Sequence, residues 1–195
     1  MAFWGTNYAD GNIKDPKRKF RFMVTFDGIG KDGGQLWYAK TADKPSFTVG
    51  TAEHKYLNHT YYYPGTVTWN DVTITLVDPQ DPDMVATLQQ MFLNSGYEPP
   101  TTSNDKTTVS KAGAVSALGV VRVEQLGADG TSVESWSFHN AFIADLKFGD
   151  LAYGDDELVE ISVTLKYDFA SLDDTSLAKA DLKKPTPSTA AVSGE

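Results

Sequence analysis

From Lys19 the chain alternates, with Phe20, Phe22, Val24 and Phe26 on one side and Arg21, Met23 and Thr25 on the other. That two-residue period is the pattern of a strand with one buried face. The glycine-rich stretch 27–34 (DGIGKDGG) offers positive-φ turn positions, so Gln35 to Thr41 reads as the returning strand of an antiparallel hairpin. Between Ala42 and Gly65 the periodicity fades while Phe47, Val49, Tyr56, Leu57 and three consecutive tyrosines, Tyr61, Tyr62 and Tyr63, accumulate. So long a stretch points to function, and its tyrosines argue against disorder. Thr66 to Val77 then alternates as a third long strand.

A helix is expected from Asp81 as N-cap, with Pro82 in its first position, to Gly96; Met84, Val85, Leu88, Met91 and Phe92 form its apolar stripe. A shorter Ala-rich helix, 106–118, should end at Gly119. Val120 to Leu126 and Thr131 to Phe138 flank the turn 127–130 as a second hairpin. Phe142 to Phe148 should turn Phe142, Ala144, Leu146 and Phe148 inward. The last strand divides cleanly, with Val159, Ile161, Val163, Leu165, Tyr167 and Phe169 against Glu160, Ser162, Thr164 and Lys166. The sum is a mainly β chain: an antiparallel β-sandwich or half-barrel with one clear flanking helix. Residues 17–170 form this β domain. Residues 1–16, with Phe3, Trp4 and Tyr8 among Gly, Asn and Asp, read as an interaction arm, and 171–195 as a flexible tail.

Charge and composition narrow the function. Twenty-six acidic against 17 basic residues give a net charge of −9, which argues against a sequence-independent grip on nucleic acid. Zero cysteines exclude disulfides, thiolate metal sites and cysteine nucleophiles. No basic and apolar leader pattern opens the chain, and the best small-apolar run, Ala112 to Val121, is about half of the ~20 residues a bilayer span needs, so synthesis in the cytosol without membrane association is expected. Gly28-Ile29-Gly30-Lys31-Asp32-Gly33 spells a dinucleotide fingerprint but precedes a strand instead of a helix. His54, His59 and His139 lack metal-ligand spacing and fit hydrogen-bonding or interface roles. Asp150, Asp155, Asp156 and Glu157 read as a solvated turn. No catalytic constellation, metal site or cofactor site emerges, so no enzyme is expected.

In order along the chain, PKRKFRF (16–22), WYAK (37–40), EHKYLNH (53–59), YPGTVTWNDV (63–72), TLVDP (75–79), NAFI (140–143), KFGDL (147–151) and the strand ending in Lys166-Tyr167-Asp168 resemble the tail tube proteins of contractile-tailed, myovirus-type bacteriophages. The resemblance spans about Pro16 to Ala170. It implies a homo-hexameric ring, stacked into a hollow tube within a tail sheath, between baseplate and tail-terminator proteins. Phage DNA would pass through the lumen without specific binding. The chain would then be a virion tail protein assembled in the host cytoplasm. In such tubes the sheets of neighbours join into one barrel, with ring contacts in the long loop after the second strand, here 43–64, and in the arms.

On this reading the interface residues are Phe3, Trp4, Tyr8, Lys17, Arg18, His54, Tyr56, Leu57, His59, Tyr61 and Tyr62. The lumen candidates are Glu160, Ser162, Thr164 and Lys166. The basic cluster of Lys14, Lys17, Arg18, Lys19 and Arg21 against the acidic stretch 150–160 offers complementary patches between subunits. Two alternatives stay open: a tube subunit of an extracellular contractile injection system, and a β-sandwich carbohydrate-binding module that stacks sugars on Trp37, Tyr61, Tyr62 and Trp69.

Overall fold

The computed structural model describes residues 16–29, 36, 38–98, 108–154 and 156–173. Along the chain run β1 (Phe22–Phe26), β2 (Ala39–Ala42), β3 (Phe47–Tyr56), β4 (His59–Trp69), β5 (Val72–Val77), α1 (Met84–Asn94), α2 (Lys111–Leu118), β6 (Val121–Leu126), β7 (Ser132–His139), β8 (Phe142–Lys147), β9 (Glu160–Lys166) and β10 (Phe169–Leu172). One antiparallel sheet has the order β1-β6-β7-β10, a second β2-β5-β9-β8, and β3-β4 form a ribbon by themselves.

The two four-stranded sheets share one core. Val24, Phe26, Val121, Val123 and Phe138 from the first meet Val72, Ile74, Leu76, Ile161, Val163 and Leu165 from the second. These are the inward positions of period-two strands, so alternation becomes a sandwich. Helix α1 closes one side of the core with Met84, Leu88 and Met91, and α2 adds Leu118. At the sandwich corner, the β7-to-β8 and β9-to-β10 crossings run side by side. The Asp168 amide donates to the His139 carbonyl at 3.0 Å, and Asn140 Nδ2 and Lys111 Nζ both donate to the Asp168 carboxylate. Asn140 takes a positive φ of 56° there, a conformation an Asn tolerates better than most residues.

Several sequence expectations change. The stretch 27–34 does not close a hairpin, because β1 and β2 lie in different sheets. Gly28 serves packing instead: a Cβ there would sit 2.2 Å from the Ala117 carbonyl oxygen, where the end of α2 meets the residues that follow β1. The strand expected over 66–77 is two strands broken at Asn70 and Asp71. Its first half belongs to the ribbon, so the unpatterned stretch is largely strand, hidden because neither face is buried.

Helix α1 is capped by Asp83, which accepts from the Ala86 amide at 3.0 Å, and Pro82 precedes the cap instead of opening the helix. Helix α2 starts behind Ser110, which accepts from the Gly113 amide; residues 106 and 107 lie outside those described. In β8 Phe142 lies opposite Lys166 on the outer face while Ile143, opposite Leu165, packs on the core; Ala144 is exposed at a register irregularity, Leu146 keeps its inward place, and Phe148 lies beyond β8 and is exposed. Phe169 leaves the last strand at the corner and enters the other sheet, where β10 continues through Leu172 against Trp136 of β7. The fold thus runs past the boundary placed at 170, and 174–195 lie outside the described residues, as do Phe3, Trp4 and Tyr8.

Candidate functional site

The ribbon β3-β4 leaves the sandwich at a fixed base. The Asn70 amide donates to the Ser46 carbonyl at 2.9 Å and its side chain to Ser46 Oγ at 3.0 Å. Trp69 is wedged between Phe47, ring centres 5.2 Å apart, and Tyr167 of the core, 6.0 Å away. Beyond the base every residue from Phe47 to Thr68 is exposed.

The register sorts the outer half by face. His54 pairs with Tyr61, Tyr56 with His59 and Ala52 with Tyr63, so these side chains share one face, whereas Glu53 opposite Tyr62 and Lys55 opposite Thr60 share the other. One face is therefore aromatic and imidazole, the other mostly polar. Tyr56, Tyr61 and Tyr63 are each half or more exposed, although aromatic rings gain most from burial. At the tip Leu57 is 90% exposed and holds a positive φ of 51°, a strained choice for a branched apolar residue. Nothing in the sandwich rewards it.

Of the sequence-derived interface residues, the structure gathers His54, Tyr56, His59 and Tyr61 on one face, puts Tyr62 behind them and sets Leu57 at the tip. Tyr63 belongs with the first group; the period-two pattern of β4 could have shown it. Lys17 and Arg18 sit elsewhere, by the first sheet. Lys17 pairs with Glu134, which also accepts from Lys44 Nζ at 2.8 Å and Trp136 Nε1 at 2.6 Å, while the Arg18 carbonyl accepts from Gln125. Burial pushes the Glu134 carboxyl up, but the hydrogen bonds from Lys17, Lys44 and Trp136 outweigh it and hold it at about 2. This cluster ties the entry segment and the β2-β3 connection to β7.

Glu160, Ser162, Thr164 and Lys166 occupy the outer face of β9. Thr164 and Ser162 lie beside Thr73 and Thr75 of β5, and beside Asp145 and Lys147 of β8. Charges on this face are matched: Lys40 pairs with Glu160, and Lys166 approaches Asp71 at 3.7 Å. The result is a flat hydroxyl-rich wall of balanced charge.

The remaining candidate chemistry disperses. His139 stacks on Phe169 with centres 4.4 Å apart and bonds Ser171 at 2.7 Å, in a different sheet from the ribbon histidines. Among the described residues no group of three His, Asp or Glu side chains could hold a metal ion, and no helix is long and apolar enough to cross a membrane. Trp69 is occupied by its neighbours and Tyr61 and Tyr62 face opposite ways, so the proposed sugar platform is not assembled; Trp37 lies outside the described residues.

No family model and no curated protein matches the sequence. Solved structures match the fold. A chain of the anti-feeding prophage baseplate aligns with a TM-score of 0.59 at 13% identity, covering 82% of this chain and 97% of that one. A chain of the sheath/tube terminator of the PVC extracellular contractile injection system aligns with a TM-score of 0.59 at 14% identity, covering 82% and 98%. The tube-terminating cap of the anti-feeding prophage gives 0.59 at 17% identity over 83% and 93%. The fold is that of the tube-type components of contractile tails. Those neighbours belong to sheath, tube, baseplate and cap assemblies.

Proposed function

We propose that this chain is a tube subunit of a contractile tail, assembling as homo-hexameric rings that stack into a hollow conduit, without catalysis or cofactor. The observation that carries the reading is the ribbon: residues 47–68, rich in tyrosine, form a two-stranded sheet that pairs with no other described strand, and all of them are exposed. An isolated two-stranded ribbon is marginal in water, and exposed aromatics are the residues enriched at buried interface centres. His54, Tyr56, Leu57, His59, Tyr61 and Tyr62 therefore make ring contacts, joined by the arm residues Phe3, Trp4 and Tyr8, and Lys17 and Arg18 border a subunit contact.

The wall of Glu160, Ser162, Thr164 and Lys166 faces the lumen. A surface with paired charges and hydroxyls offers DNA no row of free cations, so a genome slides without an attachment at each subunit. Sheath, baseplate and terminator proteins are the partners, and the place of work is the virion tail. Because the structural neighbours come from a prophage particle and an injection system, an injection-system tube is the second reading. Electron microscopy of the purified full chain tests the proposal: stacked rings with a central channel are expected, and a monomer at every concentration overturns it. DNA inside tubes from particles separates the two readings.

A further inference from the structure

The connection 148–159 between β8 and β9 holds four large apolar side chains in water: Phe148 is 42% exposed, Leu151 87%, Leu158 71%, and Tyr153 fully exposed. Single exposed apolar residues are ordinary. Here Leu151, Tyr153 and Leu158 cluster with Glu157 around an open concavity of about 760 Å³ lined, among the described residues, by residues 149–160, with the Val159 carbonyl accepting from the Asp78 amide at 3.0 Å. The connection leaves the β8 edge of the second sheet.

Flanking the opposite edge strand, β2, lies a groove of about 530 Å³ between the two sheets. Its floor is apolar, with Phe22, Val123 and Trp136, and Phe20 stands 73% exposed at its rim with the Arg21 guanidinium 5.2 Å from the ring centre. Lys19, Lys40 and Lys44 line it with Glu124, and Lys40 and Lys44 are already paired within the chain to Glu160 and Glu134. An acidic loop with exposed Leu and Tyr and a lysine-rimmed groove with an aromatic floor are complementary chiefly in polarity, with Lys19 adding a charge term.

We infer that the β8-β9 connection of one copy docks into the Phe20 groove of the next, so that a second copy of this chain is the occupant. The two surfaces flank opposite edges of one sheet, which is what a head-to-tail contact requires and a two-fold contact does not. Setting the β8 edge of one subunit beside the β2 edge of its neighbour brings the connection to the groove. This rests on the ring reading above and adds which surfaces form its lateral contact.

The chain contains no cysteine, so engineered pairs report without background. Phe20→Cys combined with Tyr153→Cys in one full-length chain, oxidised after assembly, should give a ladder of disulfide-linked oligomers. Each single variant should give none, and mixing the two should give dimers only. Independently, Tyr153→Ser should lower ring yield about tenfold with unchanged circular dichroism. Rings that form normally in Tyr153→Ser and give no ladder in the double variant overturn this contact and leave the tube reading standing. A cross-link within one chain also overturns it, since the groove would then receive its own loop. Failure of the unaltered chain to form rings removes the tube reading, and the contact with it.

Discussion

The sandwich and the ribbon are built from the same material and treat it in opposite ways. Ile74, Ile161 and Phe138 are fully buried between sheets, whereas Tyr56, Tyr61 and Tyr63, also on antiparallel strands, stand in water. In the sandwich each strand pays the entropy of ordering with buried area on one face. The ribbon has only its ladder and the Trp69 anchor. Residues that stabilise the monomer and residues suited to bind neighbours are thus separate sets, and substitution should separate folding from assembly.

The strongest test strikes the sandwich. Phe138→Ala empties a site where the ring meets Tyr167 edge-on at 4.9 Å, and should cost about 3–5 kcal/mol in urea unfolding. Gly28→Ala, with its Cβ 2.2 Å from a carbonyl oxygen, should cost roughly 1–3 kcal/mol by the same measurement, because backbone has to move. Acid gives the next effect. Glu134 is depressed from its ordinary 4.5 to about 2, so its contribution is present above the unfolded value and fades as pH falls through 4.5 toward 2. Discounted for its half-exposed lysine partners, it should amount to roughly 2 kcal/mol, and Glu134→Gln should flatten that part of the stability–pH curve. Smallest for the monomer is Tyr61→Ala with Tyr63→Ala: unfolding should shift by no more than about 0.5 kcal/mol, while tubes disappear by electron microscopy. A large loss of monomer stability would collapse the distinction.

Legibility followed burial. The strands of the core announced themselves because one face is apolar: β6 and β7 were readable nearly to the residue, whereas β5 was merged with the end of β4 and β9 was run on through the corner to Phe169. The ribbon was not, since Thr48 to Thr68 obeys no inside–outside rule, and its strand character appears only once pairing is known. Partner choice was the second blind spot. Alternation places residues on a face but says nothing of which strand lies beside it, so a turn-like sequence paired β1 with β2, although its Gly28 packs against the end of α2. The ribbon aromatics were legible as a group. Their division by face, and the groove beside Phe20, needed three dimensions.

One irregularity in the ribbon sets its direction. Between Val49–Val67 and Thr51–Pro64 the register slips, and there Gly50 and Gly65 face each other so closely that a Cβ on Gly65 would meet the Gly50 carbonyl oxygen at 3.0 Å. Such a bulge bends and twists its strand. From this point to the tip is about seven residues, or roughly 23 Å at the strand rise, so a change of about 10° in the bend swings Leu57 by about 4 Å. The two glycines thus set the angle of the ribbon close to its root, and on the proposed tube reading that angle decides which neighbouring surface Leu57 would meet.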